Sequence, residues 1–172
     1  MPDRYFRVEV AGSSMRPTLR PGDFLVLRRC TPENQNILRP GNIVAFRDAT
    51  KRLILKRLIG LPGESLQIGS SVLINRRRVI ELYTEGQTPK RQFRGVNQLL
   101  ENEYFLIGDN REASTDSRDF GAVRSDRFEG IAIFRYWPIS RFGRIITTER
   151  QFGDEQGQIN LPQSRIGPPR SV

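Results

Sequence analysis

Three Pro-Gly turns divide the first 64 residues into short segments, and they constrain the fold more than any other feature. The turns are "RPGD" at 20–23, "RPGN" at 39–42 and "LPGE" at 61–64. The segments between them alternate apolar and polar residues and are rich in Val, Ile, Leu and Phe, a pattern typical of strands. No stretch sustains a 3.6-residue apolar period, so helices should be few and short. The sequence therefore predicts a mainly β protein built from antiparallel sheets.

The same alternation, bounded by turn residues, predicts the individual strands. They cover residues 5–11, 23–29, 42–48, 52–61, 65–68, 72–75, 78–83, 104–108 and 128–137. The polar segment 84–103 is predicted to be a loop-rich excursion. Residues 149–172, which end in "GPPRSV", are predicted to be a flexible tail. Residues 1–148 then form one domain, a size that can bury a substantial core.

The net charge favours anionic partners without choosing among them. The 172 residues carry a formal net charge of +9, and only three of the 28 basic residues are lysines: Lys51, Lys56 and Lys90. Segment 149–172 holds three acidic and three basic residues, so the surplus lies on residues 1–148. Nucleic acid, acidic peptide and anionic lipid would all be attracted to such a surface.

Several site types are excluded by residues that the sequence lacks. Cys30 is the single cysteine and there is no histidine, which excludes a disulfide framework, a zinc cluster and every Ser-His or Cys-His pair. We expect neither a metal nor a cofactor. No apolar run approaches the roughly 18 residues that span a bilayer, and "MPDRYFRVEV" lacks the apolar centre of a signal peptide. We therefore expect no membrane anchor in this chain.

The segment "GSSMRPTL" at 12–19 offers a serine nucleophile for which no histidine can act as the base. Arginine stays protonated, so the base would be a lysine or a carboxylate. In "KRLILKRLIGLPGE" the strand period places Lys56 on one face with Ile54 and Leu58. Desolvation there would lower its pKa towards the range suited to a general base. The alternative is a lysine that extends its amine to water beside an ordinary Ser-Ser turn.

A third polar segment, "GDNREASTDSRDFG" at 108–121, follows the predicted strand "YFLI". It could be a solvated turn or a carboxylate-rich cation loop. A calcium loop is disfavoured because Arg111 and Arg118 would offset the carboxylate charge, and because the regular spacing of oxygen ligands is absent.

These segments, in this order, resemble the type I signal peptidases, serine endopeptidases that remove signal peptides from exported precursors. "SSMRPTL" resembles the nucleophile box, "RPGDFLVLRR" the strand after it, "LKRLIGLPGE" the general-base box and "GDNREASTDSRDFG" the last box. "FRYWPISRFG" is similar to the closing strand, so the resemblance spans residues 8–144. It implies antiparallel sheets in a coiled, partly barrel-like fold.

The resemblance implies a Ser/Lys dyad with Ser14 as nucleophile and Lys56 as general base. Ser114 would orient the lysine amine. Ser13 competes as nucleophile, but the motif places the reactive serine directly before Met. The backbone N–H of Ser14 would contribute to the oxyanion hole. The position two before the nucleophile is Gly12 rather than the serine of some members, so a backbone donor would have to act there.

The resemblance also implies residues around the dyad. Two charge pairs, Arg57 with Asp109 and Asp116 with Arg118, would hold the base box and the last box together. The substrate would bind as an extended strand with small side chains at the first and third positions before the cut. Four apolar residues are candidates to line that pocket: Val10, Met15, Leu19 and Leu55.

As a signal peptidase, the chain would act on precursors of Ala-x-Ala type at the extracytoplasmic face of a plasma or thylakoid membrane. We expect a monomer, peripheral or truncated with respect to an anchor, that contacts an anionic membrane surface and no nucleic acid. Two alternatives stay open. One is a soluble or self-processing Ser/Lys protease. The other is a non-enzymatic basic β-domain that binds nucleic acid, although the sequence contains no aromatic-basic RNA-binding box.

Overall fold

The computed structural model describes residues 4–84 and 95–153, and these residues are mostly β structure with little helix. The described residues form twelve strands: β1 (Tyr5–Glu9), β2 (Phe24–Arg29), β3 (Ile43–Arg47), β4 (Leu53–Gly60), β5 (Leu66–Ile68), β6 (Val72–Ile74), β7 (Arg77–Ile80), β8 (Glu103–Ile107), β9 (Val123–Arg124), β10 (Phe128–Trp137), β11 (Gly143–Arg144) and β12 (Gln151–Phe152). A single α-turn, α1 (Ser117–Phe120), and three 3-10 turns (Pro32–Ile37, Ser125–Arg127 and Ile139–Arg141) complete the described elements.

The strands form two antiparallel sheets. The larger has the order β1-β2-β10-β3-β4-β8-β9, with β11 also paired to β10, and the smaller has the order β12-β7-β6-β5. The described strands of the larger sheet leave it open, with β1 and β9 at its ends. The predicted fold class, mainly antiparallel β with few short helices, is confirmed.

All nine predicted strands are present, with ends that differ by at most a few residues. The prediction missed β9, β11 and β12, each of which is two residues long. Two residues are too few to show an alternation, so only pairing with a neighbouring strand defines these elements. Strand β7 ends at Ile80 rather than at 83.

The central strand β3 is buried on both faces. Val44 and Phe46 pack into one apolar cluster with Leu58 and Leu106, whereas Ile43 and Ala45 pack into another with residues that include Met15, Leu19, Leu25 and Leu27. This explains why "IVAF" reads as a continuous apolar run rather than as an alternation. A third cluster joins the smaller sheet to β8 through Leu66, Val72, Phe105 and Ile107. The smaller sheet is therefore packed against the larger one, and β4 and β8 of the larger sheet contribute side chains to the clusters on both of its faces.

The two segments predicted to be irregular are described only in part. Residues 85–94 of the excursion lie outside the described residues, but Leu99 is buried and Val96 bridges to Leu66. Residues 154–172 of the predicted tail also lie outside them. The first part of that segment forms β12, which pairs with β7 in the smaller sheet. The domain boundary at 148 stays a prediction. None of the described helices is long and apolar enough to cross a membrane.

All three Pro-Gly turns have the same local geometry, and two of them, 20–23 and 39–42, differ in their surroundings. In 20–23 and 39–42 the first N–H donates to the fourth side chain, at 2.9 and 2.8 Å. The third residue has a positive φ, +84° at Gly22 and +87° at Gly41. A Cβ on Gly22 would meet nothing within 4 Å, whereas one on Gly41 would lie 2.0 Å from the Thr148 carbonyl oxygen. Glycine is thus required at position 41 for two reasons: its positive φ angle, and the close approach of the Thr148 backbone.

These turns make a matched pair for a stability measurement. Gly22→Ala should cost about 1–2 kcal/mol, because an L residue is strained at positive φ. Gly41→Ala carries the same strain plus the clash with Thr148, and overpacking adds about 1–3 kcal/mol. Urea unfolding of both variants measures the difference. Equal free energies of unfolding would contradict the close packing of residue 148 against Gly41.

Candidate active site

Ser14 lies in a turn that its apolar neighbours anchor. Met15 and Leu19 are both buried and pack into the same apolar cluster beneath it. The turn is closed by hydrogen bonds from Leu19 N–H to the Met15 carbonyl at 2.8 Å and from Arg16 N–H to the Ser13 carbonyl at 3.1 Å. Ser14 is left half-buried, while Ser13 is exposed.

Lys56 is buried in β4 and reaches Ser14. Its residue surface is only 3% exposed, and its Nζ lies 2.6 Å from Ser14 Oγ. Burial lowers the pKa of Lys56 to about 8, against a smaller opposing attraction from Asp116 and Asp109. The amine is therefore not extended into water, and a large fraction of it is neutral at mildly alkaline pH. A serine hydroxyl in contact with such an amine is an arrangement suited to nucleophilic catalysis.

Ser114 is buried beside the dyad, close to Gly108. Among the described residues its Oγ has no hydrogen-bond partner of good geometry, Lys56 Nζ included, although it lies close enough to the Asp116 carboxylate to help lower the pKa of that group. A Cβ on Gly108 would lie 2.2 Å from Ser114 Oγ and 2.6 Å from the Ser14 carbonyl oxygen. Gly108 therefore brings the loop backbone against both serines, a role that the sequence analysis did not assign. Its signal is the glycine that opens "GDNR".

Asp116 organises the loop from within. It caps α1, and its carboxylate accepts hydrogen bonds from Gly108 N–H at 3.0 Å and from the Arg118 side chain at 2.8 Å. Burial alone would raise the pKa of Asp116, but the hydrogen bonds from Arg118 and Gly108 outweigh it and lower the pKa. The Asp116–Arg118 pair thus lies within one loop rather than between two segments.

Arg57 joins β4 to the same loop. Its Nε and Nη2 contact the two carboxylate oxygens of Asp109 at 2.7 and 2.6 Å, and both side chains are at most 1% exposed. The guanidinium also donates to the Gly41 carbonyl at 2.8 Å, and Thr18 Oγ1 donates to Asp109 Oδ2 at 2.5 Å. This buried pair therefore connects the segments that carry Ser14, Lys56 and Ser114.

Asn110 is a site residue that the sequence analysis missed. Its backbone N–H donates to the Ser14 carbonyl at 3.0 Å, and its side-chain amide donates to the Ser13 carbonyl at 3.3 Å. These bonds fix the peptide that carries the nucleophile. The available signal was its position directly after Asp109 in the polar box.

Within the described residues the N–H of Ser14 has no hydrogen-bond partner, and the space beside Gly12 is open.

A cleft of about 340 Å³ opens at the dyad between residues 9–12 and 52–56. Ser14 and Lys56 line it together with three of the four predicted pocket residues, Val10, Met15 and Leu55. The fourth, Leu19, is not part of the lining and has no exposed surface, because it packs into the core beneath the serine turn.

Within the part of the chain that the structure describes, no second site is formed by Lys51 or by the carboxylates. Lys51 is an exposed turn residue, and Lys90 lies outside the described residues. No group of three or more carboxylates or cysteines within residues 4–84 and 95–153 is arranged to hold a metal ion. Cys30 is a free thiol whose pKa is raised to about 11 by burial.

Comparison with known proteins identifies the family. The family described as "Signal peptidase, peptidase S26" matches residues 5–137. The signal peptidase I of Leptolyngbya laminosa is 34% identical over 146 residues, which are 79% of this chain and 70% of the relative. That of Bacillus caldolyticus is 32% identical, over 77% and 80% of the two chains. A crystal structure of a signal peptidase I from Enterococcus faecalis V583 aligns with 30% identity and a TM-score of 0.46, over 55% of this chain and 95% of that one.

The family match covers most of the chain and includes both residues of the Ser14–Lys56 contact. The resemblance to type I signal peptidases is therefore confirmed, and a non-enzymatic β-domain is excluded because the relatives identify a peptidase hydrolase. The chain belongs to the signal peptidases of peptidase family S26.

Proposed function

We propose that this protein is a Ser/Lys endopeptidase that cleaves signal peptides from exported precursors after small residues. The observation that supports it best is the 2.6 Å contact between Lys56 Nζ and Ser14 Oγ in a buried environment. Burial favours the neutral amine, and only the neutral amine can accept the serine proton. The lysine thus supplies the base function for which the sequence has no histidine.

In the proposed reaction, Lys56 accepts the proton of Ser14 as Oγ attacks the scissile carbonyl carbon. The Ser14 N–H and a backbone donor near Gly12 stabilise the negative charge that develops on the carbonyl oxygen. The resulting ammonium then protonates the leaving amine, and the peptide C–N bond breaks. Water next attacks the acyl-enzyme with Lys56 again as base, which releases the signal peptide and restores Ser14. We infer that Ser114, buried beside the dyad, orients the amine during the reaction, although its Oγ is not bonded to Lys56 Nζ in this structure.

The cleft supports an extended substrate. Strand β4 pairs with β3 from Leu53 to Arg57, but β8 pairs with its other side only from Arg57 onwards. The backbone of residues 53–56 is therefore open on the cleft side among the described strands, and a substrate strand can add there. Val10, Met15 and Leu55 would narrow the pockets to alanine-sized side chains, with Leu19 supporting Met15 from the core.

The relatives also favour signal peptides over self-processing as the substrate. They are named signal peptidase I, and the same family profile covers both the nucleophile turn and β4 of this chain. We place the reaction at the extracytoplasmic face of the membrane, where exported precursors emerge.

Replacing each of the two adjacent serines separates their roles. Ser14→Ala should abolish cleavage of a peptide containing Ala-x-Ala, because no nucleophile then contacts Lys56. Ser13→Ala should retain most activity, because the hydrogen bonds of Ser13 to other described residues, Arg16 and Asn110, are made by its backbone carbonyl and not by its side chain. The cleavage rate of each variant is measured by chromatographic separation of the two peptide fragments. Full activity of Ser14→Ala would refute the proposed function.

The pH dependence tests the base. Activity should rise with pH and reach half of its maximum near pH 8, since the pKa of Lys56 is lowered to about 8 and only the unprotonated form accepts a proton. Lys56→Arg keeps the charge but cannot deprotonate, so it should be folded and inactive. Lys51→Arg, on the surface, is the matched control and should leave the profile unchanged. An active Lys56→Arg enzyme would show that another group is the base.

We also propose that the domain contacts anionic lipid through its positive surplus. An exposed apolar patch formed by Trp137, Ile139 and Phe142, with exposures of 49%, 74% and 61%, offers a competing mode of contact by insertion. The two modes differ in their response to salt, because electrostatic attraction is screened within about 8 Å at physiological ionic strength.

Co-sedimentation with vesicles distinguishes these modes. Each basic residue near an anionic surface contributes about 1 kcal/mol, so we expect binding to anionic vesicles at low salt, release at high salt, and little binding to neutral vesicles. The variant Ile139→Ser with Phe142→Ser should bind as the wild type does. Apolar insertion would be established instead if the wild type bound both vesicle types regardless of salt and the double variant lost that binding.

A further inference from the structure

Two buried arginines beside the site are held by residues that the proposed reaction does not use. Arg57 follows Lys56 in β4, and Arg111 belongs to the loop that carries Gly108 and Ser114. Both arginines are about 1% exposed. Each needs compensating contacts at this depth, because a buried cation without partners is strongly unfavourable.

Glu81 compensates Arg111. Its two carboxylate oxygens accept hydrogen bonds from the two terminal nitrogens of the guanidinium at 2.6 and 2.8 Å. The Arg111 Nε donates to the Gly108 carbonyl at 3.1 Å. The arginine is thus fixed between Glu81 and the peptide of Gly108, which packs against both Ser14 and Ser114.

Tyr83 links this pair to Arg57. The Arg57 guanidinium lies 4.0 Å from the centre of the Tyr83 ring, a close cation–π contact. The Tyr83 hydroxyl donates to Glu81 Oε1 at 2.8 Å, and this oxygen is also bound by Arg111. Burial raises the pKa of Tyr83, so the hydroxyl keeps its proton and remains a donor. Tyr83 therefore contacts Arg57 with its ring, and its hydroxyl contacts the Glu81 carboxylate that binds Arg111.

These two residues come from a different part of the fold. Glu81 and Tyr83 directly follow β7 of the smaller sheet, whereas Lys56 and Gly108 belong to β4 and to the loop after β8 in the larger sheet. Arg57 is held in its plane by Asp109 and the Gly41 carbonyl, and on its face by Tyr83. Glu81 and Tyr83 thus connect the smaller sheet to the two segments that flank the dyad. We call these two residues and their contacts with Arg111 and Arg57 the brace.

We propose that Glu81 and Tyr83 are positioning residues for peptide hydrolysis: they fix Arg57 and Arg111 and, through them, the relative placement of Lys56, Ser14 and Ser114. This inference rests on the proposed Ser14–Lys56 dyad. A displacement of about 1 Å at reacting groups can cost about a hundredfold in rate, so removal of the brace should lower kcat more than it changes KM. Neither residue lines the cleft between 9–12 and 52–56, so we expect substrate binding to change little.

The test compares three variants with two matched controls. Tyr83→Leu removes the ring and the hydroxyl, Tyr83→Phe removes the hydroxyl alone, and Glu81→Gln removes the charge. Tyr136→Leu and Glu129→Gln are the controls, because Tyr136 stacks on Arg7 and Glu129 pairs with Arg47, away from the dyad. For each protein, kcat, KM, the pH profile and the melting temperature are measured on the same Ala-x-Ala peptide, with kinetics well below melting.

We expect Tyr83→Leu and Glu81→Gln to lower kcat by about tenfold or more, with KM within about threefold of the wild type. Tyr83→Phe should retain more activity than Tyr83→Leu, because the ring contact with Arg57 persists. The pH midpoint should also move upwards in Tyr83→Leu. If Arg57 is less firmly held, water reaches Lys56 and the charge of Asp109 is less well neutralised. Both changes favour the protonated amine and raise the pKa of Lys56, whereas the contribution of the Asp116–Arg118 pair stays the same. The controls should match the wild type in kcat and midpoint.

Unchanged kcat and pH midpoint in Tyr83→Leu and Glu81→Gln would overturn the inference, even if their melting temperatures fall, because that is the result of a purely structural role. If Tyr83→Leu does not fold, Glu81→Gln and Tyr83→Phe decide by the same readouts. Failure of the dyad is separable: it would appear as an active Ser14→Ala enzyme. Normal kinetics in the brace variants alongside an inactive Ser14→Ala would refute only the positioning role.

Discussion

The buried ion pair between Arg57 and Asp109 is the interaction on which the site depends. Its two bonds of 2.7 and 2.6 Å join β4 to the loop after β8, and Thr18 attaches the serine turn to the same carboxylate. A buried pair of this kind contributes little net stability compared with apolar packing, but loss of one partner leaves an unpaired charge and costs about 3–5 kcal/mol. The pair therefore specifies one arrangement of three segments that are far apart in sequence.

Lys56 presents the opposite situation, a buried amine to which no carboxylate of the described residues is bonded. The nearby charges of Asp116 and Asp109 only partly offset its desolvation, so its pKa falls to about 8. The two carboxylates are themselves bonded to Arg118 and Arg57, which leaves the amine to the serine. The charge pairs thus contribute to the lowered pKa of Lys56, because the arginines offset the carboxylates that would otherwise favour its protonated form.

Much of the fold was predictable from local pattern. The Pro-Gly turns and the two-residue alternation located nine strands, because turn chemistry and side-chain period are properties of neighbouring residues. Strands β9, β11 and β12 were not predictable, since they exist only by pairing. The segment from 149, predicted to be a tail, contributes β12 and places Arg150 beside Glu64 and the Ile59 carbonyl. No local signal indicates contacts over such sequence separations.

The sequence by itself determined the chemistry that is available: a serine before Met15, one lysine among apolar neighbours, and no histidine. These follow from residue identity and strand period. Tertiary structure alone decided that Lys56 reaches Ser14 and that Leu19 lies in the core rather than in the cleft. It also decided that Asn110, Glu81 and Tyr83 support the site. Each of these is set by a contact between separate strands or loops, whose geometry depends on sheet order and packing rather than on any local pattern.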